Sequence, residues 1–407
     1  MEFSESISAE FRQFVQDHLQ EDPALLLFKY QGKVTFDLKM AVQQISARQR
    51  AAKKLPAWSS NPNLLFPASI SLEQSSSEET ARFKSEGLAG KVMIDLTGGF
   101  GVDFFYLSQG FEKGIYCERQ PELFQISKYN LSQLKPSKGS ELVEGLDRKF
   151  EFFEGDGLEF LENTDLHFDL IYADPARRGN GNQKLYKLQE CEPDVVSAWS
   201  LLRSKTEKIL IKASPMLDIT QAWSELPEIQ KITVVSVKNE VKELLLFWEK
   251  EKSKLSRQIE IVDLGSENPR FSFDPLEEEK AVAHLSEAEK YLIEPLSGIL
   301  KAGAFTLFAS RFGLKKLEKN SHFYTCSELP QKQIPARIFE RLDEVQPNKK
   351  IMKALFPSGR VNVICRNYPQ SANELKKKLN LKDGGEEFLI GTKSQTGFKV
   401  FWCRRVS

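Results

Sequence analysis

Val92-Met93-Ile94-Asp95-Leu96-Thr97-Gly98-Gly99-Phe100-Gly101 decides how this chain is read: an apolar run, an acid, then a glycine-rich turn. Three more acids close apolar runs downstream. They are Glu118 after Gly114-Ile115-Tyr116-Cys117, Asp156 after Phe152-Phe153-Glu154-Gly155, and Asp174 after Leu170-Ile171-Tyr172-Ala173. A doubly wound sheet binds ligands beyond the carboxyl ends of its strands. Four strand-end acids in succession therefore outline a nucleotide-shaped pocket.

Working outward, short apolar runs near 92–95, 114–118, 150–154, 168–173 and 208–212 alternate with helical patterns at about 101–109, 121–134, 157–162 and 193–203. Repeated β-α units predict an α/β fold with a parallel sheet and right-handed crossovers. Ile232–Val237 and Leu244–Trp248 then read as an antiparallel hairpin closing the sheet. Upstream, 7–19, 23–29 and 36–54 are helical, and prolines 56, 62 and 67 predict an extended connection. In Gln74–Ala81, two Ser-x-x-Glu pairs, Ser75 with Glu78 and Ser76 with Glu79, predict a capping box opening a helix. Beyond Ile259–Leu264 the chain alternates short strands and helices without a second glycine turn, and Leu329–Pro335 suggests a boundary near 330.

The 407 residues, 41% hydrophobic and 28% charged, suit a soluble protein of two to four domains. The opening Met-Glu-Phe-Ser-Glu-Ser has no signal-peptide character, and no apolar run approaches the ~18 residues that span a bilayer. Five cysteines without a CxxC pair and only four histidines predict reduced thiols, no metal site and a cytoplasmic setting. The formal net charge of zero hides an asymmetry. Residues 301–407 carry 21 Lys+Arg against 9 Asp+Glu, the footprint of an attached nucleic-acid-binding module or, more blandly, a solvated lysine-rich surface.

Asp95, Thr97, Gly98, Gly99 and Gly101 form a D-x-T-x-G-x-G turn whose glycines permit close backbone approach and whose following helix offers N–H groups. Such a turn also occurs as mere packing. Glu118, beside Arg119, can accept both hydroxyls of a ribose, a role common to dinucleotide-binding folds. Asp156, with Gly157 and Leu158, can accept an adenine amino group or simply cap a helix. An adenine-reading acid at the third strand favours S-adenosylmethionine over NAD. Asp174-Pro175-Ala176-Arg177 ends the fourth strand, where a carboxylate and a turn fixed by proline can hold an exocyclic amine for attack. Arg177 can stack on a base or hold a phosphate.

Residues 74–250 resemble class I S-adenosylmethionine-dependent methyltransferases of the RNA guanine-N2 type, closest to the trimethylguanosine synthase-like group. In that group a Ser-x-Thr-Pro-Glu segment precedes the glycine motif, where this chain has Ser77-Glu78-Glu79-Thr80-Ala81, so the resemblance adds Thr80 to the cofactor candidates. Its Ser-Pro-Pro-Trp-Gly-Gly-Pro segment corresponds to 174–180, with Ala176 and Arg177 replacing a proline and the stacking aromatic. Over its whole length the chain resembles bacterial methyltransferases with a C-terminal THUMP-like domain, through 74–81, 95–103, 173–178, 214–218 and Glu294-Pro295.

The residue pattern gives a helical region at 1–85 and, with the resemblance, a Rossmann-like seven-stranded methyltransferase sheet at 86–256; the resemblance implies a ferredoxin-like α+β module at 257–330 and a basic THUMP-like module at 331–407. It further implies structured RNA, such as tRNA or rRNA, as partner. The expected activity is methylation of a base amine, guanine N2 being favoured. A protein or small-molecule methyltransferase, an NAD(P)-dependent oxidoreductase and a non-catalytic RNA-binding factor are the rivals.

Overall fold

A computed structural model describes residues 7–67, 69–134, 149–177, 187–252, 257–267 and 270–406. The chain packs as two compact units. The first runs to Ile229 and takes up the end of the later hairpin from Leu246; the second holds Gln230–Leu245 and the chain after the hairpin.

The first unit opens with α1 (Ala9–Asp17), α2 (Pro23–Tyr30) and α3 (Leu38–Ala51), started by Ser8, Asp22 and Asp37, whose side chains accept the orphan backbone N–H groups. The predicted extended connection begins instead as α4 (Pro56–Ser60), because a proline in the first helical turn loses no hydrogen bond. The buried Arg48 donates to the carbonyls of Ser59, Asn61 and Leu64 at 2.8, 2.9 and 2.6 Å, tying this irregular stretch to α3.

After α5 (Ser69–Gln74) comes α6 (Glu78–Ser85), which is capped by Ser77 rather than by either predicted pair. Ser76 is engaged with Asp103 at 2.7 Å, and the Glu78 carboxylate accepts the Trp58 amide at 3.0 Å, so neither residue is available for a capping box.

Five parallel strands follow: β1 (Gly90–Asp95), β2 (Phe111–Glu118), β3 (Lys149–Glu154), β4 (Leu170–Ala173) and β5 (Lys208–Ala213). Between and after them lie α7 (Val102–Leu107), α8 (Pro121–Gln133), α9 (Gly157–Asn163), α10 (Trp199–Lys205) and α11 (Ile219–Glu225). The helix predicted at 193–203 starts later, since Asp194 holds the Val196 and Ser197 amides in a turn.

A hairpin of β6 (Lys231–Val237) and β7 (Glu240–Glu249) turns at Lys238 and Asn239, both at positive φ as a two-residue primed turn requires. Strand order is β3-β2-β1-β4-β5-β7-β6, the seven-stranded arrangement expected from sequence. The sheet does not end at residue 256, however. In the second unit β8 (Gln258–Leu264) pairs in parallel with β6, and β9 (Phe271–Phe273) pairs antiparallel with β8, giving nine strands. The direction of winding reverses between β1 and β4, which places a crevice beyond their carboxyl ends.

The second unit also builds a seven-stranded sheet from β10 (Tyr291–Pro295), β11 (Lys315–Lys316), β12 (Tyr324–Cys326), β13 (Ala336–Glu344), β14 (Asn362–Arg366), β15 (Glu387–Ser394) and β16 (Gly397–Arg405). Their order is β11-β12-β10-β13-β16-β15-β14, antiparallel except for β14 with β15. Helices Lys349–Leu355 and Ala372–Leu379 bury Met352, Leu375 and Leu379 in a core with Val363, Leu389 and Val400. Their other faces expose Lys349, Lys350, Lys353, Lys377 and Lys378, none within salt-bridge distance of an acid among the described residues. Among the described residues no helix is long and apolar enough to cross a membrane.

Candidate functional site

Asp95, Glu118, Asp156 and Asp174 all lie at or just past the carboxyl ends of β1 to β4, so the adjacent parallel strands carry the four acids to one edge of the sheet. The glycine loop between β1 and α7 is held from β2 and α8. A side chain at Gly98 would put Cβ 2.1 Å from the Tyr116 ring, so only glycine fits there. Gly99 and Gly101 take φ of +58° and +81°, the left-handed region that glycine enters without strain. The Gly99 carbonyl accepts from Tyr116 Oη at 2.5 Å and Ser127 Oγ at 2.9 Å.

Two amides of the loop are already engaged by protein atoms. The Gly99 amide donates to Glu118 Oε2 at 2.8 Å, and the Gly101 amide to the Gly98 carbonyl at 2.9 Å. Glu118 Oε1 accepts the Gln120 amide at 2.8 Å, so its buried carboxylate is fixed at both oxygens, each with a lone pair remaining.

Asp156 caps α9 through Oδ1, accepting the Leu158 amide at 2.8 Å, while Oδ2 stays outside the cap. Gly157 lies against the β1 loop, since a Cβ there would sit 2.6 Å from the Leu96 carbonyl oxygen. Thr97, which stands where the motif has its first glycine, links two strand ends. Its amide and hydroxyl donate to Asp95 Oδ1 at 2.9 and 3.3 Å, and its hydroxyl accepts the Asp174 amide at 2.7 Å.

Asp95 is buried, and its Oδ2 has no hydrogen-bond partner among the described residues. Burial pushes its carboxyl well above the usual range, and the charges of Asp103 and Asp174 push it further. Asp103, on α7, is buried as well. Burial opposes its ionisation, but Lys84 at 3.2 Å, Lys212 at 3.9 Å, Ser76 and the Tyr172 hydroxyl at 2.8 Å together hold it below the usual range. Lys212 Nζ lies 2.5 Å from Asp174 Oδ2. Burial also raises the Cys117 thiol, which removes it as a nucleophile.

The remaining candidates lie around this edge as follows. Arg119 pairs with Glu192. Arg177 is exposed in a short ladder in which 176–177 meets 191–192, and 178–180 of the compared motif lies outside the described residues. Thr80 uses its hydroxyl within the cap of α6, donating to the Ser77 carbonyl at 3.2 Å, and among the described residues makes no hydrogen bond to the glycine loop. Lys84 and Lys212 were not found by sequence reading. The available signal was a single lysine inside the apolar strand Ile209-Leu210-Ile211-Lys212-Ala213.

An edge with four carboxylates disfavours a diphosphate. A buried carboxylate oxygen without a partner among the described residues, beside a loop that leaves room at Gly99, fits a nucleoside carrying a cationic amino-acid chain.

Comparison with known proteins points the same way. A ferredoxin-like domain family matches residues 291–332, and a THUMP domain-like family matches 336–405. A crystal structure from Porphyromonas gingivalis, assigned as a methyltransferase, has a TM-score of 0.87 at 30% identity, with 100% of both chains covered. An uncharacterised S-adenosylmethionine-dependent methyltransferase of Mycobacterium tuberculosis, found in two strains, is 23% identical over 350 residues, 84% of this chain and 88% of its own length.

Proposed function

Because the chain belongs to the S-adenosylmethionine-dependent methyltransferases with a C-terminal THUMP-like domain, we propose that it methylates an exocyclic amine of a base in structured RNA, guanine N2 being the leading acceptor. The observation that carries this reading is Asp174-Pro175 at the end of β4, beside the winding reversal, with a carboxylate available to an amine.

When bound, S-adenosylmethionine supplies an electrophilic methyl group on a sulfonium sulfur, which keeps the electron pair of the broken C–S bond and departs as the neutral thioether. Asp95 Oδ2 would receive the α-ammonium group, Gly98, Gly99 and Gly101 would shape the space for the amino-acid end, and Thr97 would hold the loop. Glu118 would accept the ribose hydroxyls, Asp156 Oδ2 the adenine amino group, and Leu158 would pack against the ring. Arg119 and Thr80 would act one step further out, through Glu192 and the cap of α6.

Asp174 would accept a hydrogen of the target amine and hold its lone pair toward the methyl group. As the new C–N bond forms the nitrogen sheds one proton, which Asp174 passes to water. Pro175 would fix the turn, and Arg177 would contact the base or a phosphate. A base inside a duplex must be flipped out to reach this edge.

The exposed lysines of the THUMP-like module would grip phosphates without reading sequence. Replacing Lys349, Lys350 and Lys353 by glutamine is expected to flatten the slope of log affinity against log salt for tRNA by about 2–3. An unchanged slope places the contacts elsewhere.

Asp95 gives a second expectation. A cation seated on it requires the ionised form, so binding at a pH below its raised pKa must release a proton. S-adenosylhomocysteine affinity should therefore fall as pH drops, by up to about tenfold per unit, and level off above that pKa. Calorimetry in buffers of different ionisation heat should detect the proton. A raised carboxyl stabilises the fold at low pH, and that contribution is lost as pH rises through the folded-state pKa. Asp95→Asn should therefore abolish the proton release and raise the ligand-free melting temperature at neutral pH by about 2–4 °C.

The proposed activity is tested by transfer of labelled methyl from S-adenosylmethionine, by the full chain, into total RNA from a strain lacking the protein.

A further inference from the structure

Asp174 is held at two points on its own side of the crevice. Its amide donates to the Thr97 hydroxyl at 2.7 Å, and its Oδ2 meets Lys212 Nζ at 2.5 Å. Its Oδ1 makes no hydrogen bond among the described residues. Lys212 comes from the neighbouring strand: β4 and β5 run in parallel register, Tyr172 opposite Leu210 and Ala173 opposite Ile211, so the next residue of each strand falls side by side.

The lysine is itself anchored. Its side chain is 13% exposed and lies 3.9 Å from Asp103, which Ser76, Tyr172 and the fully buried Lys84 hold from α6, β4 and the chain before them. Lys212 stands between the carboxylates of Asp103 and Asp174, and both of their charges reach Asp95.

We propose that Lys212 is a positioning residue for methyl transfer, fixing Oδ2 of Asp174 so that Oδ1 is presented to the acceptor nitrogen. This rests on the reading of Asp174 as the amine acceptor. Lys212 touches neither the cofactor nor the reacting atoms in this role. It removes the rotational freedom of the carboxylate and keeps a negative charge in place among its neighbours.

The test uses the full chain with labelled S-adenosylmethionine and total RNA from the deletion strain. Lys212→Met should lower kcat by about 10²-fold, with the KM for the methyl donor and the Kd for S-adenosylhomocysteine within about threefold of wild type. Lys212→Arg, which keeps a donor and a charge, should recover activity to within about tenfold.

A purely structural ion pair would instead lower melting temperature and cofactor affinity together, and arginine would restore both in proportion to the folded fraction; that result overturns the proposal. So does wild-type kcat in Lys212→Met, which leaves the reading of Asp174 standing. If the wild-type chain binds S-adenosylhomocysteine but labels no RNA, the RNA reading and this inference fall together.

Discussion

Asp174→Ala is expected to reduce kcat for RNA methylation by about 10³-fold while leaving S-adenosylhomocysteine affinity, measured at a pH where it has levelled off, within about twofold. The split follows from position. Asp174 stands past β4, and the loop residues Asp95 to Gly101 meet it through the Thr97 hydroxyl on its backbone amide, which alanine keeps. What alanine removes is the acceptor that holds the amine and takes its proton. Asp174→Asn keeps a carbonyl acceptor but loses the charge facing Lys212, so its kcat should lie between alanine and wild type. Steady-state kinetics with calorimetric binding would separate the two effects. Equal loss of binding and turnover in Asp174→Ala would move Asp174 from the acceptor to the cofactor side of the site.

Gly98→Ala should have the largest effect on the fold of the first unit. The added methyl would meet the Tyr116 ring at 2.1 Å, and Tyr116 is buried with its hydroxyl on the Gly99 carbonyl. Either the ring or the loop must move, and overpacking of this kind costs about 2–3 kcal/mol. The melting temperature should fall by about 5–10 °C. Moving the loop also shifts the Gly99 amide away from Glu118, so S-adenosylhomocysteine affinity should drop more than about tenfold. Thermal melting and calorimetry of the purified variant measure both. A variant that melts and binds like wild type would mean that Tyr116 can turn aside freely.

The four strand-end acids were legible because each closes an apolar run, and a parallel sheet aligns such ends whatever the sequence distance between them. Thr97 was visible as a departure from the glycine pattern. Its role was not, because the Asp174 amide it receives lies 77 residues away and spacing carries no sign of that contact. Lys212 was hidden for the same reason: the pairing depends on the register of β4 against β5.

The cap of α6 was misread because several residues competed for it. Each predicted pair lost one member to a tertiary partner, Glu78 to the Trp58 amide and Ser76 to Asp103, and Ser77 remained. The run Ile259–Leu264 plainly reads as a strand, yet nothing in it says which sheet it joins. The hairpin turn at Lys238 and Asn239, which brings β6 to the edge where β8 pairs, decides that. Arg177 is exposed where the compared motif has an aromatic.

The most direct test of the central claim is mass spectrometry of nucleosides from the tRNA and rRNA of cells lacking this protein. Loss of one methylated nucleoside, with N2-methylguanosine the leading expectation, should be reversed by the wild-type chain and not by Asp174→Ala. An unchanged set of methylated nucleosides in both RNA classes would contradict the assignment of structured RNA as the methyl acceptor.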